Sequence, residues 1–241
     1  MPIACELRMT RSASAIRMSI DTARSIIQGA LEGKYQDFGG AKLDRVLRAA
    51  WAAASAADSQ QGLNALLRPV ESPETDVANH VVVLHLIDRF WRHQPVMPRS
   101  ITTIHDALYG LGDGDSRIRR TSFVEDFGAI VPTEVADIRG ALNELEVVMA
   151  ELSPLFSGHG IRDQARFLAY LFSSIIRVHP FADGNGRTAR LIVQYCMAIW
   201  DRSYVPLPKV RNDAPWRLAL GEAVAGRLEP LTEQLAKRMQ S

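Results

Sequence analysis

The feature that most limits what this chain can become is the run His179-Pro180-Phe181-Ala182-Asp183-Gly184-Asn185-Gly186-Arg187-Thr188-Ala189-Arg190. The segment before it, Gln164–Val178, is apolar with helical periodicity, and so is Thr188–Trp200 after it. Between them, a residue preceding proline turns away from helical backbone geometry, and Gly184 and Gly186 permit tight turning and close backbone approach. The run therefore reads as a helix–loop–helix whose loop delivers the chain to a helix N-terminus. Such a terminus carries amides with no acceptor inside the helix, and partial positive charge, which together suit an anion and above all phosphate. Arg187 and Arg190, three apart, share one side of the new helix, and guanidinium forks match phosphate oxygens. Asp183 is a hard oxygen ligand of the kind Mg²⁺ takes beside nucleotide phosphates. His179 stands at the loop's entry, and an imidazole with an ordinary pKa of about 6.5 accepts a proton from a hydroxyl near neutrality.

The rest of the chain reads as helical scaffolding. Periodicity and breakers predict helices at 15–31, 41–57, 75–92, 99–110, 134–152, 161–178, 185–200, 213–225 and 229–240. One segment departs from this pattern: Arg117–Val131 carries Ile118, Thr121, Phe123, Val124, Ile130 and Val131 around Asp126-Phe127-Gly128 and predicts a short β-hairpin, a flap that must lie on something else. The break at Pro69–Pro73 suggests an N-terminal helical lobe, 1–68, and a larger core, 74–241. The chain is long enough for a hydrophobic core without staples: 241 residues, 47% of them hydrophobic. Its net charge of +1 argues against a nucleic-acid-binding protein. Cys5 and Cys196 form no disulfide framework and read as reduced thiols of a cytoplasmic protein. No stretch reaches the about 18–20 apolar residues of a membrane span, and no secretory leader stands out, although export by a route needing no such leader is left open.

The run HPFADGNGRTAR resembles the full motif of the Fic (Fic/Doc-fold) family, and the resemblance extends more weakly over Val77–Trp200. Ser100–Leu108 resembles the family's early core helix, Gly112–Val131 with Arg119 or Arg120 its target-positioning flap, and Ala165–Val178 the helix leading into the catalytic loop. The resemblance implies a mostly helical, all-α Fic-type core with a short hairpin flap over the active-site loop. It also implies transfer of AMP from ATP to a Ser, Thr or Tyr hydroxyl of a target protein. On that footing His179 is the base, Asp183 holds Mg²⁺, and the backbone of Gly184, Asn185 and Gly186 forms an anion hole with the Asn185 side chain near the α-phosphate. Arg187 steadies the β-phosphate and Arg190 the γ-phosphate, Phe181 anchors the loop inward, and Thr121, Ser122, Phe123 and Val124 of the flap hold the target segment by strand addition. Glycine at 186 with arginine at 190 resembles the AMP-transferring branch, since the phosphate-transferring branch places lysine at that second glycine. Many members restrain themselves with a helix bearing Ser/Thr-x-x-x-Glu-Gly/Asn. The nearest stretches here have Gln28 and Gln61 in place of the glutamate, which implies control by a separate inhibitory protein or none. A catalytically silent binding module, transfer of phosphate or UMP, and a homo-oligomer are the alternatives left open.

Outside the motif, the residues read as structural. His80 and His85 are packing or surface residues, His93 and His105 surface or interhelical, and His159 a loop histidine. Trp51, Trp91, Trp200 and Trp216 read as packing aromatics, and Arg117, Arg119 and Arg120 as a solvated edge.

Overall fold

Helices form where apolar side chains recur at helical spacing, and they end where glycine, proline or a capping side chain intervenes. The structure, a computed structural model, describes residues 18–31, 40–112, 118–121, 132–208 and 213–240. Among these it has ten α-helices: α1 (Ile20–Leu31), α2 (Gly40–Ala56), α3 (Gln60–Asn64), α4 (Pro73–Arg89), α5 (Ser100–Tyr109), α6 (Ile138–Leu152), α7 (Ile161–Val178), α8 (Asn185–Ile199), α9 (Ala214–Val224) and α10 (Glu229–Gln240). Every helix expected from periodicity is present where the chain is described. α3 was not expected; its Ser59 hydroxyl accepts from the Gly62 amide and starts a short helix in a polar stretch. α4 begins at Pro73 rather than near Thr75, because the Ser72 hydroxyl caps it, accepting from the Thr75 amide at 3.2 Å.

The mostly helical expectation is met among the described residues. Of the expected flap, Thr121 is described, whereas Ser122, Phe123 and Val124 lie outside the described residues. The extended pairing seen is one antiparallel bridge, Ile118 with Phe181. Among the described residues no helix is long and apolar enough to cross a membrane.

The two helices of the motif sit in the middle of the core. α7 buries Phe167, Leu168, Leu171, Phe172 and Ile175, and α8 buries thirteen of its residues, Leu191 through Ala198 among them. α7 packs against α6, α8, α9 and α10; α8 also meets α4 and α5. Trp216 of α9 is fully buried and meets Phe172 edge-on at 5.6 Å. The Gln194 side chain pairs with both backbone groups of Val205, at 2.7 and 3.0 Å, and so lays residues 202–208 along α8. Cys196 is buried, and burial pushes its thiol up to about 12.

Two glycines of opposite character test this packing. Gly110 ends α5 at φ 61, and a Cβ there would fall 2.0 Å from the carbonyl oxygen of Arg68. Gly140, in the first turn of α6, has nothing within 4 Å of that position. Gly110→Ala is expected to lower unfolding free energy by more than the ~1–2 kcal/mol of left-handed strain alone. Gly140→Ala is expected to raise it by up to ~1 kcal/mol. Urea unfolding checks both; a Gly110→Ala protein as stable as wild type would contradict this junction of α5 with Arg68.

Candidate functional site

The structure gathers the motif residues at the N-terminus of α8. His179 caps the end of α7 in the left-handed region, φ 47 and ψ 57, one of two described non-glycine residues with positive φ. Its amide donates to the Ile175 carbonyl at 2.9 Å. The residue is half-buried, and desolvation lowers its pKa from 6.5 to about 4, helped by the nearby Arg119 charge and opposed by Asp183. The ring is therefore neutral at pH 7, the form that takes a proton.

The loop is closed from inside. Phe181 is fully buried, as the sequence suggested, and the Asn185 side chain bonds both backbone groups of Phe181, accepting from its amide at 3.0 Å and donating to its carbonyl at 2.8 Å. In this structure the Asn185 amide is thus spent on the loop's own shape. Gly184 caps α8 at φ 87, and a Cβ there would meet the Tyr109 ring at 2.6 Å. The amides of Asn185 and Gly186 open the helix, where no carbonyl of α8 lies one turn back to accept from them.

The two arginines are held differently. Arg187 is buried; it donates to Asp76 of α4, to the Tyr109 hydroxyl and, at 3.0 Å, to Asp183. Asp76 is fully buried and has His80 Nδ1 3.2 Å from its carboxylate. Arg190 donates to the carbonyls of Gly186 and Pro208, both at 2.7 Å, and its guanidinium lies 5.8 Å above the Phe172 ring. It is a cation held by carbonyl oxygens, and burial lowers its pKa to about 10. Neither Gln28 nor Gln61 bonds it; both are exposed. The second glycine of the motif has a steric reason as well: a Cβ on Gly186 would stand 3.1 Å from Arg190 Nη1.

Asp183 is the loop's exposed carboxylate, its side chain 58% accessible, with one oxygen accepting from the Gly184 amide at 2.6 Å. Among the described residues no cluster of three or more His, Cys, Asp or Glu side chains stands ready for a metal. A lone carboxylate fits Mg²⁺, which takes one or two protein carboxylates and fills its remaining positions with phosphate oxygens and water.

Three residues outside the motif belong to this site. His105 is fully buried and stacks on Phe181, with ring centroids 3.7 Å apart and Nε2 3.3 Å from the Asp183 carbonyl. Arg119 was expected on a solvated edge; it is 4% exposed and donates to the His179 carbonyl at the start of the motif loop. Asp76 lies in the first turn of α4. The first-turn acid of α4 was its one sequence signal, and nothing local distinguishes a capping acid from one facing Arg187. Asp76→Ala leaves the Arg187 charge buried beside a helix N-terminus, and a loss of roughly 3–5 kcal/mol is expected in urea unfolding. A loss below ~1 kcal/mol, typical of an exposed pair, would contradict this role.

Known proteins resemble the chain in sequence and in fold. A sequence model of the Fic/DOC family matches residues 95–197. Protein adenylyltransferase fic-1 of Caenorhabditis briggsae is 30% identical over 156 residues, which cover 62% of this chain and 28% of that protein. The chain thus corresponds to little more than a quarter of that curated relative. Among solved structures, Fic-1 from C. elegans superposes with a TM-score of 0.54 at 23% identity, over 91% of this chain and 69% of that one. A Fic domain-containing signalling protein from Bacteroides thetaiotaomicron also gives 0.54, at 16% identity, over 90% and 92% of the two chains. Residues 95–197, with the loop motif complete, match the Fic/DOC family, and the helices are arranged as in those structures.

Proposed function

We propose that this protein transfers AMP from ATP to a Ser, Thr or Tyr hydroxyl of a target protein. The observation that carries the reading is a neutral, half-buried histidine, His179, at the mouth of a helix N-terminus flanked by Asp183 and two buried arginines. His179 takes the proton of the attacking hydroxyl. The hydroxyl oxygen bonds to the α-phosphorus, the bond from that phosphorus to the bridging oxygen breaks, and pyrophosphate leaves. The Asn185 and Gly186 amides and the Arg187 and Arg190 guanidiniums meet the charge of the triphosphate, so rate comes from positioning and fixed positive charge. Asp183 would hold Mg²⁺, which neutralises phosphate charge when bound. The similarity to a protein adenylyltransferase over 156 residues supports AMP as the group moved. So does Gly186, since the phosphate-transferring branch carries lysine at that position.

ATP labelled separately at the α- and γ-phosphates, with a cell lysate as acceptor, decides the reaction. Label from the α position alone is expected. Label from the γ position would mean phosphorylation, transfer from UTP in place of ATP would mean uridylylation, and no label from any source would mean a binding module. His179→Ala is expected to lower transfer by at least about 10²-fold while ATP still binds, since only proton acceptance is removed. Undiminished labelling would overturn the assignment of the base.

The pH behaviour follows from desolvation. A histidine whose pKa is lowered from 6.5 to about 4 stays neutral throughout the window between those values. Imidazole NMR of the ligand-free protein is expected to give a His179 midpoint near 4, rising when MgATP, a polyanion, binds beside it. A ligand-free midpoint at or above 6.5 would show that the ring is not desolvated.

A further inference from the structure

We propose that Arg119 is a positioning residue for His179, a buried clamp that joins the chain arriving at the loop to the end of α7 and holds the left-handed turn on which the imidazole stands. Its Nε donates to the His179 carbonyl at 2.7 Å, and Nη2 lies 3.4 Å from the Val178 carbonyl. The same guanidinium donates to the carbonyls of Thr121, at 3.1 Å, and Thr133. The Arg119 amide donates to the Pro180 carbonyl at 2.9 Å, and its neighbour Ile118 bridges Phe181. The Thr133 amide donates to the Arg177 carbonyl at 3.1 Å. Residues 118–121 and 132–133 thus form a collar around 177–181, and one cation is common to both sides of it.

The physics favours arginine at this position. The last carbonyls of a helix have no acceptor role inside it and carry partial negative charge, so a cation there is stabilising. The planar guanidinium reaches the His179, Thr121 and Thr133 carbonyls at once, where one ammonium nitrogen could not span them. A non-glycine residue at φ 47 persists only where its surroundings over-determine it. The amide of His179 bonded back to Ile175 and its carbonyl bonded to Arg119 supply that constraint from both sides. The charge of Arg119 beside the ring also favours the neutral imidazole.

The kinetic part of the test rests on the adenylyl-transfer reading; the exchange part does not. In Arg119→Ala, kcat for AMP transfer is expected to fall by about 10²-fold, the scale of a small misplacement of a reacting group. KM for ATP is expected to stay within about twofold, because the α8 clamps are untouched. Guanidinium added at millimolar concentration is expected to restore part of the lost kcat, and Arg119→Lys to sit between the two proteins. Hydrogen–deuterium exchange of the ligand-free protein is expected to show residues 118–121 and 178–181 losing protection together in Arg119→Ala, with 190–199 unchanged. Unchanged exchange at 178–181, or a risen KM with unchanged kcat, would overturn the proposal. If the wild type transfers no AMP, the functional reading fails and exchange alone decides the clamp. If Arg119→Ala does not fold, Arg119→Lys, which keeps the charge, carries the same readouts.

Discussion

Two guanidinium groups are buried at the positive end of a helix, and much of the molecule is arranged to make that tolerable. Cations near a helix N-terminus oppose the macrodipole, and charge out of water is costly. Arg187 is stabilised by the fully buried Asp76, reached across from α4, and by Asp183 and the Tyr109 hydroxyl. Arg190 has carbonyl oxygens instead, one from its own helix and one from Pro208. The site therefore depends on three separate parts of the chain being docked on α8 at once. A polyanion entering there would meet a field already built for it.

The same economy explains the motif's spacing. Proline after His179 and glycine at 184 let the chain leave α7 and enter α8 within a few residues, while Tyr109 closes the space behind Gly184. Phe181 fills the interior of the turn, stacked on His105, and Asn185 ties the turn to itself. The loop is thus fastened to the core at its centre, and its two ends carry the chemistry: an imidazole at the start, and a carboxylate and amides at the finish. A rigid centre suits reactions that depend on placement rather than on covalent participation by the protein.

Reading the sequence recovered most of the helices because their apolar faces repeat locally, and it recovered the motif because its residues are contiguous. It passed over α3, whose Gln60–Asn64 stretch carries little apolar signal and exists through a serine cap. It did not bring His105, Arg119 or Asp76 to the loop. Each lies far along the chain from the loop and meets it only after the helices have docked. A basic run beside a loop has the same letters whether it faces water or caps a helix end; what distinguishes Arg119 from Arg120 is which one the Ile118–Phe181 bridge turns inward.

By itself, the sequence determined the helix–loop–helix and the residue types that meet an anion, because both follow from interactions between near neighbours. Tertiary structure alone decided which carboxylate faces Arg187, that Arg190 is held by carbonyls, that His179 is desolvated and neutral, and that Arg119 joins two segments. Burial and long-range electrostatics depend on distances through space, which the order of residues along a chain does not contain.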